Sequence, residues 1–452
     1  MKFGGTSVQN DEAIRRVISI INNRKAKAVI VVSAFATITN KLVEIINCLK
    51  KNNYISVKAH LDYIFTKHLD VASKLGLGSD VDNLLNEKRD EIERLTYALN
   101  ILGEVSPKST DTILSFGEIL SSKIIYHAFL NEGFKIKYVD ARDIIRTDAN
   151  FTEANVIFDT TNELIINNCK DDFENYQLIL TAGFIASDEN KSTTTLGRGG
   201  SDYSAALIAS ALDAERLEIW TDVNGIMTCD PRIIPQAKLV KMLSYTEASE
   251  LAYFGAKVLH PKTIYPAVEK QIPVYVLNTF NPENNGSEII NLHGNKKILK
   301  AIAFRRGVSV INIQSNKMLG AYGFLSKVFE IFRLNETSVD LITTSEVSIS
   351  LTIDDNSKLN KIINDLREFA TIILLENQAI ICIVGEGIKN TSGISARFFQ
   401  ALSDINISMV SIGASEVNIS IALAERDLDK SVRLLHKEFF ENYIDEEYFS
   451  SI

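Results

Sequence analysis

Over residues 1–280, short β-branched runs alternate with longer stretches in which apolar residues return every three or four positions. KAVIVVSAF (27–35) is bounded by polar residues and predicts a buried strand. KIKYVD (135–140), YQLILTAGFIA (176–186), RLEIWTDV (216–223) and IPVYVLN (272–278) predict further strands. Residues 40–130 carry a helical pattern instead. Leu84, Ile92, Leu95, Leu99 and Leu102 fall near helical spacing, and Pro107 is the one proline to interrupt. Strand and helix in alternation predict an α/β domain with a largely parallel central sheet flanked by helices.

The texture changes after that. NPENNGSE (281–288) is a run of turn residues and marks a boundary. Beyond it a repeat appears: GFLSKVFEIFRLNETSVDLITTSEVSIS from Gly323 and GISARFFQALSDINISMVSIGASEVNIS from Gly393, a gapless offset of 70 residues. Gly323/Gly393, Phe329/Phe399, Ser338/Ser408, Ser345/Ser415, Glu346/Glu416 and Ile349/Ile419 coincide. Each copy predicts a helix, then two strands closed by a tight turn at Ser-Glu. Two copies are too few for a solenoid, so a pair of small α+β modules is expected.

Composition narrows the function. The 452 residues are 46% hydrophobic, enough for real cores. A net charge of −9 argues against nucleic acid as a partner but leaves room for a small anion held by a few local cations. Cys48, Cys169, Cys229 and Cys382 form no CxxC pair, so reduced thiols in a cytoplasmic protein are expected, with no metal site. MKFGGTSV lacks the pattern of a signal peptide, and no apolar stretch of membrane-spanning length is evident.

Three stretches carry candidate chemistry. In KFGGTSV, Gly4 and Gly5 allow backbone N–H groups to approach an anion, and Lys2 adds a point charge, although a Gly-Gly pair alone is more often a turn. In TTTLGRGGSDYSA (193–205), glycines box Arg198, whose planar fork matches a carboxylate. Ser201 and Asp202 follow at the expected start of a helix. Capping is the plain reading of those two, but it explains neither the arginine nor the glycines. Arg198 on a carboxylate with Asp202 on an ammonium would suit an amino acid. In WTDVNGIMTCDPR (220–232), Thr221 and Asp222 end a predicted strand, where open α/β sheets bind ligands. FGAKVLHP (254–261) adds Lys257, which standing alone reads as a solvated helix lysine.

Together with SFGEILSS (115–122), these stretches occur in the order and spacing of the aspartate kinases, and the chain resembles that branch of the amino-acid kinase family throughout. The repeat resembles the family's paired ACT modules. MLGAYGFLSKVF and TSVDLITTSEVSISLTID resemble most the lysine-sensitive, monofunctional subgroup. The resemblance implies an amino-acid kinase fold over 1–285, a first ACT module (βαββαβ) over 314–379, and a second, structural module made of 296–313 with 380–452, the first inserted in the second. It also implies transfer of the ATP γ-phosphoryl group to the β-carboxylate of L-aspartate, with Mg²⁺ held mainly by phosphate oxygens.

By the same resemblance, Lys2, Phe3, Gly4, Gly5, Thr221, Asp222, Met227, Arg232, Lys257 and Val258 would hold the nucleotide. Thr39, Glu118, Arg198, Ser201 and Asp202 would line the aspartate pocket, with Arg198 on a carboxylate and Glu118 or Asp202 on the ammonium. Lys2, Lys257, Arg198 and Asp202 are the expected catalytic set. L-Lysine is the expected effector at the first module, near Met318, Phe324, Leu325, Ser338, Val339, Asp340, Ser345 and Glu346, and a homodimer or higher homo-oligomer through the modules is expected. Val410 replaces the acid equivalent to Asp340, which suits a structural second copy.

Three departures stand out: Thr37 in SAFATITN where the family has glycine, Met227 where it has tyrosine, and few strand residues before Lys2. They put the backbone beside Thr39 in doubt and give weight to a second reading, a catalytically impaired amino-acid sensor, which ATP turnover at saturating aspartate separates from an active kinase. Another kinase of the same fold, acting on glutamate derivatives, carbamate or a nucleotide, is disfavoured by the repeat and by GRGGSD, and a substrate panel separates it.

Overall fold

The computed structural model describes residues 1–255, 261–291, 299–315, 318, 322–441 and 447–450. It resolves into two compact units, one of Met1–Gly225 with Val258–Asn291, the other of Ile226–Lys257 with Leu292–Ile452.

In the first unit the main sheet runs in the order Ile136–Tyr138, Leu178–Ala182, Ala28–Val32, Lys2–Phe3, Leu217–Thr221, Val274–Asn278, Ser287–Ile290. Its pairings are parallel except for the antiparallel Ser287–Ile290. Strands buried on both faces need continuous apolar runs. Ile30, Val31, Val32, Leu178, Ile179 and Leu180 are all buried. The five strands predicted from β-branched runs are all present. Lys2–Phe3 is central: the next strand in sequence, Ala28–Val32, lies on one side and Leu217–Thr221 on the other. A switch of this kind opens a crevice beyond the carboxyl ends of the strands.

The helical region is a layer of four helices, Ile38–Lys50, Tyr54–Lys74, Ser79–Leu102 and Pro107–Asn131. Pro107 does not break a helix. It occupies the first turn, capped by Ser106, which accepts from Ser109 N at 3.2 Å. In Ser79–Leu102 the core-facing line is Val81, Leu85, Ile92 and Leu99, whereas Leu102 is 74% exposed. Pro107–Asn131 is apolar and long enough to cross a bilayer, which corrects the expectation from sequence. With 72% of its most apolar window buried, and Asp111 and Glu118 inside, it is a core helix. The four cysteines are free thiols.

The second unit contains a six-stranded antiparallel sheet in the order Ile342–Thr344, Ser348–Ile353, Leu299–Gln314, Thr371–Gly385, Asn418–Ala424, Ile407–Ile412. The repeat is real. Gly323 and Gly393 cap helices Phe324–Leu334 and Ile394–Ala401 in the left-handed conformation, and tight turns at Ser345 and Ser415 close the strand pairs. The strand read as part of the second module alone serves both modules. Ser309–Gln314 pairs with Ser348–Ile353, while Leu299–Arg305 pairs with Ile380–Gly385. A register break between Arg305 and Val308, beside Gly307 at φ 72°, divides the strand between them.

Candidate active site

The crevice beyond the first unit's strands is a cleft of about 420 Å³. Its walls are Lys2 and Gly5, the turn Ser33–Asn40 after Ala28–Val32, Glu118 from the core helix, Phe184, and the loop Gly197–Asp202. Five residues expected at an aspartate pocket, Thr39, Glu118, Arg198, Ser201 and Asp202, therefore share one cavity with Lys2.

The glycine-boxed loop is built from both sides. Gly197 (φ 70°) and Gly199 (φ 74°) take left-handed backbone that a side chain would strain, and Gly199 becomes the N-cap of helix Gly200–Ala211. Gly199 holds the N-cap position and Ser201 and Asp202 lie past it in the first turn, so neither is the cap residue. Upstream, the threonines anchor the loop. Asp111 accepts from Thr195 N at 3.0 Å, Thr195 Oγ1 at 2.7 Å and Thr152 N at 2.9 Å. Thr194 and Thr147 share a hydroxyl bond of 2.7 Å. Burial pushes the Asp111 carboxyl up, against the pull of these donors. Asp111 and Glu118 sit seven residues apart on one helix, two turns and thus one face. The same helix carries a cleft carboxylate and moors the arginine loop. Asp111 escaped the sequence reading because a carboxylate two turns before Glu118 carries no signal until Thr152 and Thr195, distant in sequence, are seen to donate to it.

Arg198 is exposed and makes no ion pair among the described residues. Lys2 Nζ lies 2.7 Å from Asp202 Oδ1, both side chains nearly buried. Glu118 is 4% exposed. Its Oε1 accepts from Ala34 N at 3.2 Å, while Oε2 is buried with no hydrogen-bond partner among the described residues. Burial raises its pKa to about 8, with Lys2 pulling the other way. An unpaired buried oxygen facing a cleft is an acceptor lacking its donor.

Thr37 is in the left-handed region, φ 75°, as N-cap of Ile38–Lys50. The position does demand glycine-like backbone, and threonine occupies it at a cost of roughly 1–2 kcal/mol.

The nucleotide residues separate. Gly4 N donates to Trp220 O at 3.1 Å, which sets Gly4 and Gly5 beside the end of Leu217–Thr221. Thr221 Oγ1 donates to Asp222 Oδ1 at 3.2 Å. Met227 and Arg232 belong to the second unit, where Arg232 is exposed and paired with Asp230 at 2.6 Å. Lys257 and Val258 lie outside the described residues.

The expected effector residues spread along the first module. Phe324 and Leu325 open helix Phe324–Leu334, about 16 Å long by helix rise, and Ser338, Val339 and Asp340 come after its far end. Ser345 and Glu346 form the exposed turn, and Met318 is half-buried against the module's core. Asp340 is the most constrained. Arg305 Nη1 pairs with Oδ1 at 2.8 Å, Tyr253 OH donates to it at 3.1 Å, and Oδ2 is buried without a hydrogen-bond partner among the described residues. Burial, then Asp354, raise its pKa to about 6 against Arg305.

A parallel sheet whose switch-point cleft offers a guanidinium, an ammonium and an unsatisfied carboxylate suits an enzyme that handles a small zwitterion beside a phosphate, a small-molecule kinase. Comparison with known proteins agrees. The model of the amino acid kinase family matches residues 1–278, and that of the ACT domain matches 311–362 and 381–439. Lysine-sensitive aspartokinase 3 of Escherichia coli is 35% identical over 453 residues, covering 97% of this chain and 98% of that one. The crystal structure of E. coli aspartokinase III with aspartate and ADP (R-state) superposes with a TM-score of 0.83 at 34% identity, covering 97% of this chain and 99% of that one. The complex with lysine and aspartate (T-state) gives 0.79 at 35% identity, covering 97% and 98%. The chain belongs to the amino acid kinase family and, within it, to the aspartokinases.

Proposed function

We propose that this aspartokinase transfers the γ-phosphoryl group of ATP to the β-carboxylate of L-aspartate, giving 4-phospho-L-aspartate and ADP, and is inhibited by L-lysine. The observation that carries the reading is the convergence of Lys2, Glu118, Arg198 and Asp202 on one cleft, with a Glu118 oxygen unsatisfied. Arg198, exposed and without an ion pair among the described residues, takes the substrate α-carboxylate bidentately. Glu118 accepts the α-ammonium. Asp202 is the lesser acceptor because its Oδ1, though also without a hydrogen-bond partner among the described residues, already faces the Lys2 ammonium as an ion pair at 2.7 Å.

The chemistry asks for two anions to meet. At roughly 3.5 Å and an effective dielectric near 20, each pair of unit charges repels by about 5 kcal/mol. Lys2, aimed by Asp202, offsets that repulsion at the transferred phosphoryl group, and Lys257 is the second expected cation. The β-carboxylate is already a nucleophile at neutral pH, so no general base is needed. Gly4 and Gly5 bring backbone to the phosphates. Thr221 and Asp222, at the end of Leu217–Thr221, receive the rest of the nucleotide. Among the described residues no group of three or more His, Cys, Asp or Glu could hold a metal ion. That donor set suits a magnesium ion ligated mainly by phosphate oxygens and water.

L-Lysine binds at the first ACT module, with the buried Oδ2 of Asp340 as acceptor for an ammonium. Phe324 opens the helix and Asp340 comes after its far end, so an effector touching both is served by a second copy of the module. This supports a homodimer through the ACT modules.

Trapping of the acyl phosphate with hydroxylamine, with and without lysine, tests the activity. Arg198→Ala should raise the aspartate KM about 100-fold, as loss of a charge-assisted bidentate pair costs on the order of 3 kcal/mol, and leave the ATP KM within twofold. A lost ATP affinity with an unchanged aspartate KM would remove Arg198 from the substrate site.

A further inference from the structure

The turn Ser33–Thr37 forms one wall of the cleft and ends in the strained Thr37. Most of its carbonyls are tied by neighbours in the same fold. Ser121 Oγ donates to Ser33 O at 2.9 Å, Ile38 N to Phe35 O at 3.0 Å, and Lys41 N to Thr37 O at 3.1 Å. The carbonyl of Ala36, which immediately precedes the strained residue, is held differently. Lys67 Nζ, from helix Tyr54–Lys74, donates to it at 2.8 Å. The next helix residue, His68, is fully buried and stacks on Phe35, rings 4.7 Å apart and 12° from parallel. Its Nδ1–H donates to Ile64 O at 2.7 Å, which fixes the ring as a flat backing for Phe35. Two successive helix residues thus grip two successive turn residues from behind.

We propose that Lys67 is a positioning residue for the substrate pocket: by clamping the Ala36 carbonyl it holds the left-handed turn at Thr37 and so presents Thr39 to the bound amino acid. Lys67 does not itself line the cleft. Glycine would adopt the turn unaided, whereas a β-branched residue there holds only when its surroundings over-determine it. The clamp supplies that constraint in this chain. The inference rests on the reading that aspartate occupies this cleft.

The test uses the full-length protein, with acyl-phosphate formation as the readout and thermal melting as a folding control. Turnover by the unmutated chain tests the aspartate reading, and the variants test the clamp. Lys67→Met should raise the aspartate KM about tenfold, the loss expected of one hydrogen bond from a charged donor, with kcat and the ATP KM within twofold. Lys67→Arg keeps a donor and should restore the KM to within threefold. Thr37→Gly placed in the Lys67→Met background should recover at least half of the loss, because glycine needs no clamp. An aspartate KM unmoved by Lys67→Met overturns the proposal. Parallel loss of kcat and ATP affinity does so as well, since it marks general damage. Failure of Thr37→Gly to recover the KM overturns it too, since it marks a long-range charge effect.

Discussion

Glu118 makes aspartate binding pH-dependent in a direction set by its burial. With its pKa raised to about 8, the empty enzyme holds the carboxyl mostly protonated at neutral pH. Only the ionised form is a strong acceptor for an ammonium, so binding must expel the proton. At pH 6.5 that costs about 2 kcal/mol, at 1.36 kcal/mol per pH unit below the pKa, and near pH 8.5 the cost is almost gone. kcat/KM for aspartate, which reports the free enzyme, should therefore rise about 20-fold over that interval. Calorimetry at pH 7 in buffers of different ionisation enthalpy should show release of about 0.9 proton on binding. Glu118→Gln removes the titration: its profile should be flat and its KM high. The same shift bears on stability. A folded-state pKa above the unfolded value makes the carboxyl a growing burden as pH rises from about 4.5 to 8, so Glu118→Gln should melt higher than the parent at pH 8. A flat parent profile without proton release, or a slope that survives in Glu118→Gln, would refute the assignment.

Two further outcomes follow from the geometry. Thr37→Gly relieves roughly 1–2 kcal/mol of left-handed strain and returns about 0.5–1 kcal/mol as unfolded-chain entropy. Differential scanning calorimetry should show a melting temperature raised by about 1–3 °C, and a lower one would mean that the threonine is not strained. Asp340→Asn removes the negative charge that faces the effector ammonium and puts an amide NH2 in place of one carboxylate oxygen, so the lysine concentration for half-inhibition should rise at least tenfold, by about 1.5–3 kcal/mol, with uninhibited turnover retained. An unchanged inhibition curve would exclude Asp340 from the effector site.

What the sequence disclosed was local. β-Branched runs bounded by turn residues marked the five parallel strands because a doubly covered sheet demands continuous apolar side chains. A gapless repeat marked the two modules because each copy closes its own helix-strand-strand unit. Quantities that depend on distance were hidden. The helical spacing of Ser79–Leu102 located the helix but misjudged part of its buried face, as Leu102 lies in the last turn, beyond the core-facing line. The share of Leu299–Gln314 taken by each module depends on a register break that no residue pattern announces. Asp111 and Lys67 act on the cleft without touching it, through a threonine strand and a carbonyl, so neither stands in a motif.

Thr37 shows why a departure from a family pattern is informative only once its backbone is known. In the sequence it casts doubt on the turn beside Thr39. In the fold the left-handed angle is kept, Lys67 and His68 brace the turn from one side, and Ala36 N donates to Gly5 O at 3.1 Å on the other. The demand that glycine meets with its own freedom is met here by neighbours, at a cost of roughly 1–2 kcal/mol. That is small against the total stability of a fold of this size, and comparable to what one well-held hydrogen bond to a charged group returns. The substitution is therefore compatible with a working cleft, and the reading of this chain as an impaired sensor loses the support that Thr37 lent it.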